Sequence, residues 1–168
     1  MAKENAADWT HIVHGFDPVW DARSRVLVLG TLPSVKSREQ NFYYGHPRNR
    51  FWPLLALLFA QPAPRSIEDK KSLLLQNGVA LWDVVRECDV RLSADSSIRN
   101  AAPNDIRPIL AGAQIRGIYT NGAKAKELYD RLLLPLTGRE AIRLPSTSPA
   151  NAACPLEALA DGWRVLRD

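Results

Sequence analysis

Two kinds of hydrophobic pattern alternate along this chain. Short apolar-rich runs, Val26–Leu29, Val79–Val85, Ile115–Thr120 and Ala141–Leu144, have the character of strands covered on both faces. Between them lie segments with helical spacing. Phe51–Phe59 carries Pro53 in its first turn, where proline is tolerated. Ser66-Ile67-Glu68-Asp69 reads as a capping box for a helix running to Gln76 and stopping at Asn77-Gly78. Asn104–Leu110 reads as a short helix capped by Asn104 and interrupted by Pro108. Ala123–Leu133 and Pro155–Leu166 complete the helices. Strands alternating with helices predict an α/β fold: three α/β/α layers around a central, mainly parallel four-stranded sheet, with residues 1–168 forming one domain.

The polar stretches read as connections. Residues 1–20 form a lead-in whose Trp9, Phe16 and Trp20 pack against the sheet edge. Arg86–Asn100, basic and carrying Ser93, Ser96 and Ser97, reads as a loop. The strand ends then bring three loops to one edge: Thr31–Asn49, Trp82–Asn100 and Pro145–Asn151. Ligands of open α/β sheets bind just outside the carboxyl ends of the strands, so the site is expected there.

Composition narrows the functional classes. With 168 residues, 46% of them hydrophobic, the chain can bury a sizeable core, and 24% charged residues is an ordinary globular share. A net charge of +4 permits a polyanionic partner without requiring one. Cys88 and Cys154 lack CxxC spacing, which argues against a disulfide framework, a thiolate-held zinc and an iron–sulfur cluster. His11 and His14, at i and i+3, read as surface residues. Neither a metal nor a cofactor is expected. No apolar run reaches the roughly 20 residues of a membrane span, and the N-terminus lacks a signal-peptide pattern. The expectation is a cytoplasmic protein.

The richest chemistry lies between Gly30 and Trp52. Gly30-Thr31-Leu32-Pro33-Ser34 is either a plain strand-to-loop turn or one whose small residues admit a ligand to the backbone; it lacks the pattern of a phosphate loop. Tyr44 beside Gly45 fits a ring stacked on a nucleobase, or a loop anchor with Phe42 and Tyr43. Asn49, between Arg48 and Arg50, fits a water-orienting or base-reading amide, or an N-cap for the helix at Phe51. Asp83, late in an apolar strand, needs a partner, either an arginine or a ligand N–H. Ser146–Asn151, flanked by Pro145 and containing Pro149, is a stiff loop suited to a phosphate backbone or serving only as a connector. The GxSxG elbow of a serine hydrolase is absent.

Taken together, Gly30-Thr31-Leu32-Pro33-Ser34 and His46-Pro47-Arg48-Asn49-Arg50-Phe51-Trp52 resemble the uracil-DNA glycosylase superfamily. With Leu81-Trp82-Asp83-Val84-Val85 and Pro145–Asn151 added, the hypoxanthine (deoxyinosine) DNA glycosylase branch is the nearest match, from Val26 to the last helix. Two positions depart from other branches. Leu32 stands where the mismatch-specific branch has a catalytic asparagine, and Leu144-Pro145-Ser146 where the most efficient uracil enzymes have His-Pro-Ser.

The resemblance implies a monofunctional glycosylase of base excision repair that flips and hydrolytically excises deaminated bases. Hypoxanthine comes first and uracil second, with xanthine in the same class. It implies Asn49 as the catalytic, water-positioning residue and Thr31, Leu32, Tyr44 and Asp83 as base-binding. Ser34, Lys36, His46, Arg48, Arg50, Ser146, Thr147, Ser148 and Asn151 would contact DNA. The expected partner is DNA containing deaminated bases, bound by a nucleoid-associated bacterial or archaeal monomer. Two rival readings are a binding module of the same fold without chemistry and a hydrolase of free nucleosides.

Overall fold

The computed structural model describes residues 8–91 and 97–168. Its centre is a parallel sheet of four strands: β2 (Val26–Gly30), β3 (Val79–Asp83), β6 (Gly117–Asn121) and β7 (Ala141–Leu144), in the order β3-β2-β6-β7. All five residues of β2 are buried. Its side chains alternate between two cores, Val26 and Val28 in one and Leu27 and Leu29 in the other. A strand sandwiched this way needs apolar residues on both faces, which explains its unbroken run. Each fully buried aliphatic side chain contributes roughly 1.5–3 kcal/mol.

Helices cover both faces. On the first, α2 (Phe51–Leu58), α3 (Ile67–Gln76) and α7 (Leu156–Trp163) supply Phe51, Leu54, Leu74, Leu159 and Trp163. On the second, α4 (Arg107–Gly112) and α5 (Ala123–Leu132) supply Ile109, Leu128 and Tyr129. This is the expected three-layer α/β/α fold. Helix α3 starts at Ser66, whose Oγ accepts from Asp69 N at 3.0 Å. The return bond of the capping box falls one residue earlier, with Arg65 N donating to Asp69 Oδ2. Of two further short helices, α1 (Val35–Gln40) lies in a stretch expected to be loop, and α6 (Leu134–Thr137) follows the expected helix end at Leu133. A 3-10 turn, Arg164–Arg167, continues past α7.

The main correction is a second sheet. The lead-in contains β1 (Trp9–Val13), while most of the expected Arg86–Asn100 loop forms β4 (Val85–Arg91) and the start of β5 (Arg99–Pro103). They pair antiparallel in the order β1-β4-β5. Ser93 and Ser96 lie outside the described residues; the Ser97 hydroxyl accepts from Arg91 N and donates to Arg91 O. The expected strand Val79–Val85 ends at Asp83, and after Val84 the chain enters β4. Asn104 does not cap α4, which begins at Arg107. It is buried, and its amide donates to the carbonyls of Asp83 and Val85 across the junction. Asp83 therefore sits where the chain leaves one sheet for the other. Among the described residues no helix is long and apolar enough to cross a membrane.

Candidate active site

Parallel register aligns the strand ends. Gly30 pairs with Asp83, and Asn121 with Leu144. Above that edge is a cavity of about 450 Å³. Its walls include Thr31, Leu32, Ser34, Tyr44, His46, Asn49, Asp83, Ser146, Thr147 and Ser148, ten of the expected site residues. Asn121, unassigned by the sequence reading, lines it too. A larger cleft of about 730 Å³ lies around Arg23, Arg25, Gly78 and Arg167, near the amino ends of β2 and β3, and contains none of these groups.

A directed chain of hydrogen bonds organises one wall. Phe51 N–H, which can only donate, meets Asn49 Oδ1 at 3.0 Å and so fixes the orientation of that amide. Thr147 N–H likewise meets Asn121 Oδ1 at 3.0 Å. Asn121 Nδ2 then donates to Thr147 Oγ1 at 2.9 Å and to Tyr44 OH at 3.1 Å. The Thr147 hydroxyl proton is left for Asn49 Oδ1, at 2.9 Å. Both acceptor positions of Asn49 Oδ1 are thus occupied, and its Nδ2 has no hydrogen-bond partner among the described residues. Asn49 is not the N-cap of α2, a position held by Arg50; it lies one residue earlier, where its oxygen accepts from Phe51 N, the first N–H of the helix, and its amide N–H₂ is left for other contacts.

Tyr44 stacks on Phe51 with ring centroids 4.1 Å apart, and its backbone is left-handed at φ 53°. It is half-buried, so the anchor reading describes one ring face while the residue still lines the cavity. Gly30 makes room for it. A Cβ there would lie 2.9 Å from Tyr44 OH and 2.4 Å from Asp83 Oδ1. Phe42 and Tyr43 are core residues. Burial, then the Asp83 carboxylate, push the Tyr43 phenol far above its ordinary range, and its hydroxyl donates to Asp17 O at 2.7 Å.

Asp83 is 4% exposed. Its partner is neither arginine nor solvent but His14, whose Nε2 lies 2.8 Å from Asp83 Oδ2. The two side chains are 2% and 5% exposed, so His14 is not the surface residue expected. It follows directly on β1, and its ring sits among Phe16, Tyr43 and Trp82. The second sheet thus delivers a histidine to the end of the first.

The Ser146–Asn151 loop is braced from within and from α2. Ser146 Oγ accepts from Ser148 N, and Asn151 Nδ2 donates to Ser146 O at 2.9 Å. Thr147 is wholly buried, and its carbonyl accepts from Arg50 N. The Arg50 guanidinium donates to the carbonyls of Cys154 and Asn151. Asn151 and Arg50 lie outside the cavity lining, as do Arg48 and Lys36. Arg48 is exposed, and its N–H donates to His46 Nδ1 at 3.1 Å. Lys36 faces Glu39 at 3.4 Å. Ser34 caps α1 by accepting from Ser37 N, and Ser37 Oγ accepts from Gly45 N at 3.0 Å, tying the turn to the Tyr44 segment.

The sequence and fold have relatives. The family model described as the uracil DNA glycosylase superfamily matches residues 18–167. A Methanosarcina acetivorans protein named hypoxanthine DNA glycosylase is 37% identical over 142 residues, 83% of this chain and 89% of that protein. A Methanosarcina barkeri protein of the same name is 31% identical over 151 residues, 89% and 94% of the two chains. A solution NMR structure from Methanosarcina acetivorans, of a protein proposed to be a uracil DNA glycosylase, aligns with TM-score 0.76 at 33% identity, covering 92% of this chain and 98% of that one. With a family model matching residues 18–167 and relatives 37% and 31% identical over most of its length, the chain belongs to the uracil DNA glycosylase superfamily.

Proposed function

We propose that this DNA glycosylase draws a deaminated base, hypoxanthine in preference to uracil or xanthine, into the strand-end cavity and hydrolyses its N-glycosidic bond. The observation that carries the substrate class is Asp83, a buried carboxylate at the strand edge with Oδ2 held by His14 and Oδ1 over Gly30. An ionised carboxylate only accepts hydrogen bonds. Hypoxanthine and uracil present a ring N–H on their pairing edge, whereas adenine and cytosine present a bare nitrogen. The names of the two Methanosarcina relatives support the same class and leave a binding-only module without support.

The glycosidic bond is inaccessible inside the stack, so the nucleotide must be extruded, at a cost of a few kcal/mol that falls for a mispaired base. Tyr44, backed by Phe51, stacks on the flipped base, with Thr31 and Leu32 beside it. Cleavage transfers the C1′–N electron pair to the base while positive charge develops on the sugar. Water then adds to C1′ and its proton ends on the departing base. Asn49 Nδ2–H holds the water oxygen by donation. It cannot take the proton, so the reaction depends on a base that leaves readily. Backbone N–H groups around Thr31 and Leu32 stabilise the charge growing on the base oxygen. His46, Arg48 and Lys36 meet phosphates, and the braced Ser146–Asn151 loop, Ser34 and Arg50 set the strand's path. The enzyme acts as a monomer.

The test is base release from otherwise identical duplexes bearing one inosine, uracil or xanthine, with free inosine as a control. Hypoxanthine release from DNA fastest of the three, with the free nucleoside inert, is the expected result. Release of no base from any duplex would overturn the proposal.

A further inference from the structure

Hypoxanthine is not the only purine with a ring N–H at position 1. Guanine has the same group, is a normal component of DNA, and carries an exocyclic amino group beside it. Guanine's two adjacent N–H donors match the two oxygens of a free carboxylate, as an arginine fork does. An unrestricted Asp83 would therefore favour the base that must be left alone.

The carboxylate is restricted. His14 Nε2 sits 2.8 Å from Asp83 Oδ2, with both side chains almost wholly buried. Beside an acceptor-only carboxylate, Nε2 must carry the proton. The ring is held by Phe16, 4.5 Å away between centroids, and by Tyr43 and Trp82 at 6.0 and 6.5 Å. The His14 backbone N donates to Arg86 O at 2.7 Å, extending the pairing of β1 with β4. Asn104 holds the Asp83 carbonyl. Asp83 therefore has one oxygen, Oδ2, held by the buried His14 ring and the other, Oδ1, beside Gly30 in the cavity wall.

We infer that His14 is a specificity-positioning residue: by holding Oδ2 against its own buried ring it presents the base with Oδ1 alone, so that Asp83 admits hypoxanthine and rejects guanine. Hypoxanthine satisfies Oδ1 with its one N–H. Guanine brings a second donor that would have to reach Oδ2 on the side where the buried His14 ring lies, and a buried N–H left unpaired is penalised. The inference rests on Asp83 reading the base edge.

The experiment compares binding, not cleavage, and so stands apart from turnover. Duplexes carry a 2′-fluoro analogue of deoxyinosine or deoxyguanosine, which resists hydrolysis, opposite thymine. The wild type should bind the inosine duplex more tightly. His14→Phe keeps an aromatic ring among Phe16, Tyr43 and Trp82 but loses the donor, and should cut that preference about tenfold, the scale of one unpaired polar group. His14→Gln, which restores an N–H, should recover most of it. Merely structural damage weakens both duplexes alike and leaves the ratio unchanged. An unchanged ratio in folded His14→Phe overturns the inference; if that variant does not fold, His14→Asn, too short to reach Oδ2, takes its place. Asp83→Ala separates the two levels. Preference lost there but kept in His14→Phe defeats the histidine's role alone, and preference kept in both defeats Asp83 as the reader.

Discussion

The Thr147 hydroxyl donates to Asn49 Oδ1 across 2.9 Å, joining the loop after β7 to the N-terminus of α2. Because Asn121 supplies donors to Thr147 and to Tyr44, one side chain in the middle holds both and, through Thr147, Asn49. Thr147→Val removes the link while keeping the shape. Single-turnover hypoxanthine release should fall about tenfold, with a stability loss of about 1–2 kcal/mol from the donors and acceptors left unpaired. Thr147→Ser should stay near wild type. Equal rates for Val and Ser would mean that the hydroxyl does not orient Asn49.

Gly30 separates Asp83 from Tyr44. A methyl group there would meet Asp83 Oδ1 at 2.4 Å and Tyr44 OH at 2.9 Å, so one or both must move. Gly30→Ala should destabilise the protein by roughly 1–3 kcal/mol through overpacking. It should also reduce hypoxanthine release by far more than it reduces the folded fraction. Thermal denaturation alongside the release assay distinguishes the two effects.

The second sheet carries a pH-dependent contact away from the site. His11 Nδ1 lies 2.8 Å from Asp89 Oδ1 and its Nε2 3.3 Å from Glu87 Oε2. The Asp89 hydrogen bond, reinforced by Glu87, raises the histidine above its usual 6.5. Hydrogen bonds from Asn100 and then His11 hold the Asp89 carboxyl below its usual value. A raised histidine stabilises the fold fully below its unfolded pKa and loses that contribution as pH rises through the folded one. His11→Ala should therefore lower Tm more at pH about 5.5 than at pH about 8.5. His11 is exposed and Asp89 only half-buried, so the difference should shrink in high salt. A pH-independent effect of the substitution would contradict the pairing.

Lys36 is the lysine nearest the matching motifs, but it lies outside the cavity lining and faces Glu39. Borohydride added during turnover should trap no covalent DNA adduct, as hydrolysis without a Schiff base requires. An adduct that disappears in Lys36→Ala would establish a lyase step.

Much of this was legible in the chain because burial on both faces leaves a strong mark. The run Val26–Leu29, the Ser66 cap and the strand-end position of Asp83 all follow from one-dimensional pattern. The second sheet left no such mark. The pairing of β4 with β5 is irregular between Val85 and Glu87 and between Glu87 and Asp89, so its buried residues, Val85, Cys88 and Val90, break the alternation that identifies a half-buried strand. Strand β5, Arg-Asn-Ala-Ala-Pro, has no β-branched residue. His14 meets a partner 69 residues away, a pairing that no spacing rule contains. Asn121 was hidden in an Asn-Gly pair that reads as a turn. Its signal was positional: an amide at the carboxyl end of a parallel strand, in register with the other strand ends. The charge of Arg50 is legible in the sequence, whereas the carbonyls of Asn151 and Cys154 that its guanidinium meets are not.

The most direct test of the central claim is hypoxanthine release from an inosine duplex by wild type and Asn49→Ala, side by side. Asn49 Oδ1 accepts from Phe51 N, so the substitution should also cost about 1 kcal/mol as a lost hydrogen bond, and the assay belongs well below the variant's Tm. Release by the wild type that falls at least about a hundredfold in the folded variant, with duplex binding retained, is the predicted result. Release that survives the substitution would contradict a catalytic Asn49 and move the chemistry to the Ser146–Asn151 loop or to backbone groups at the strand ends.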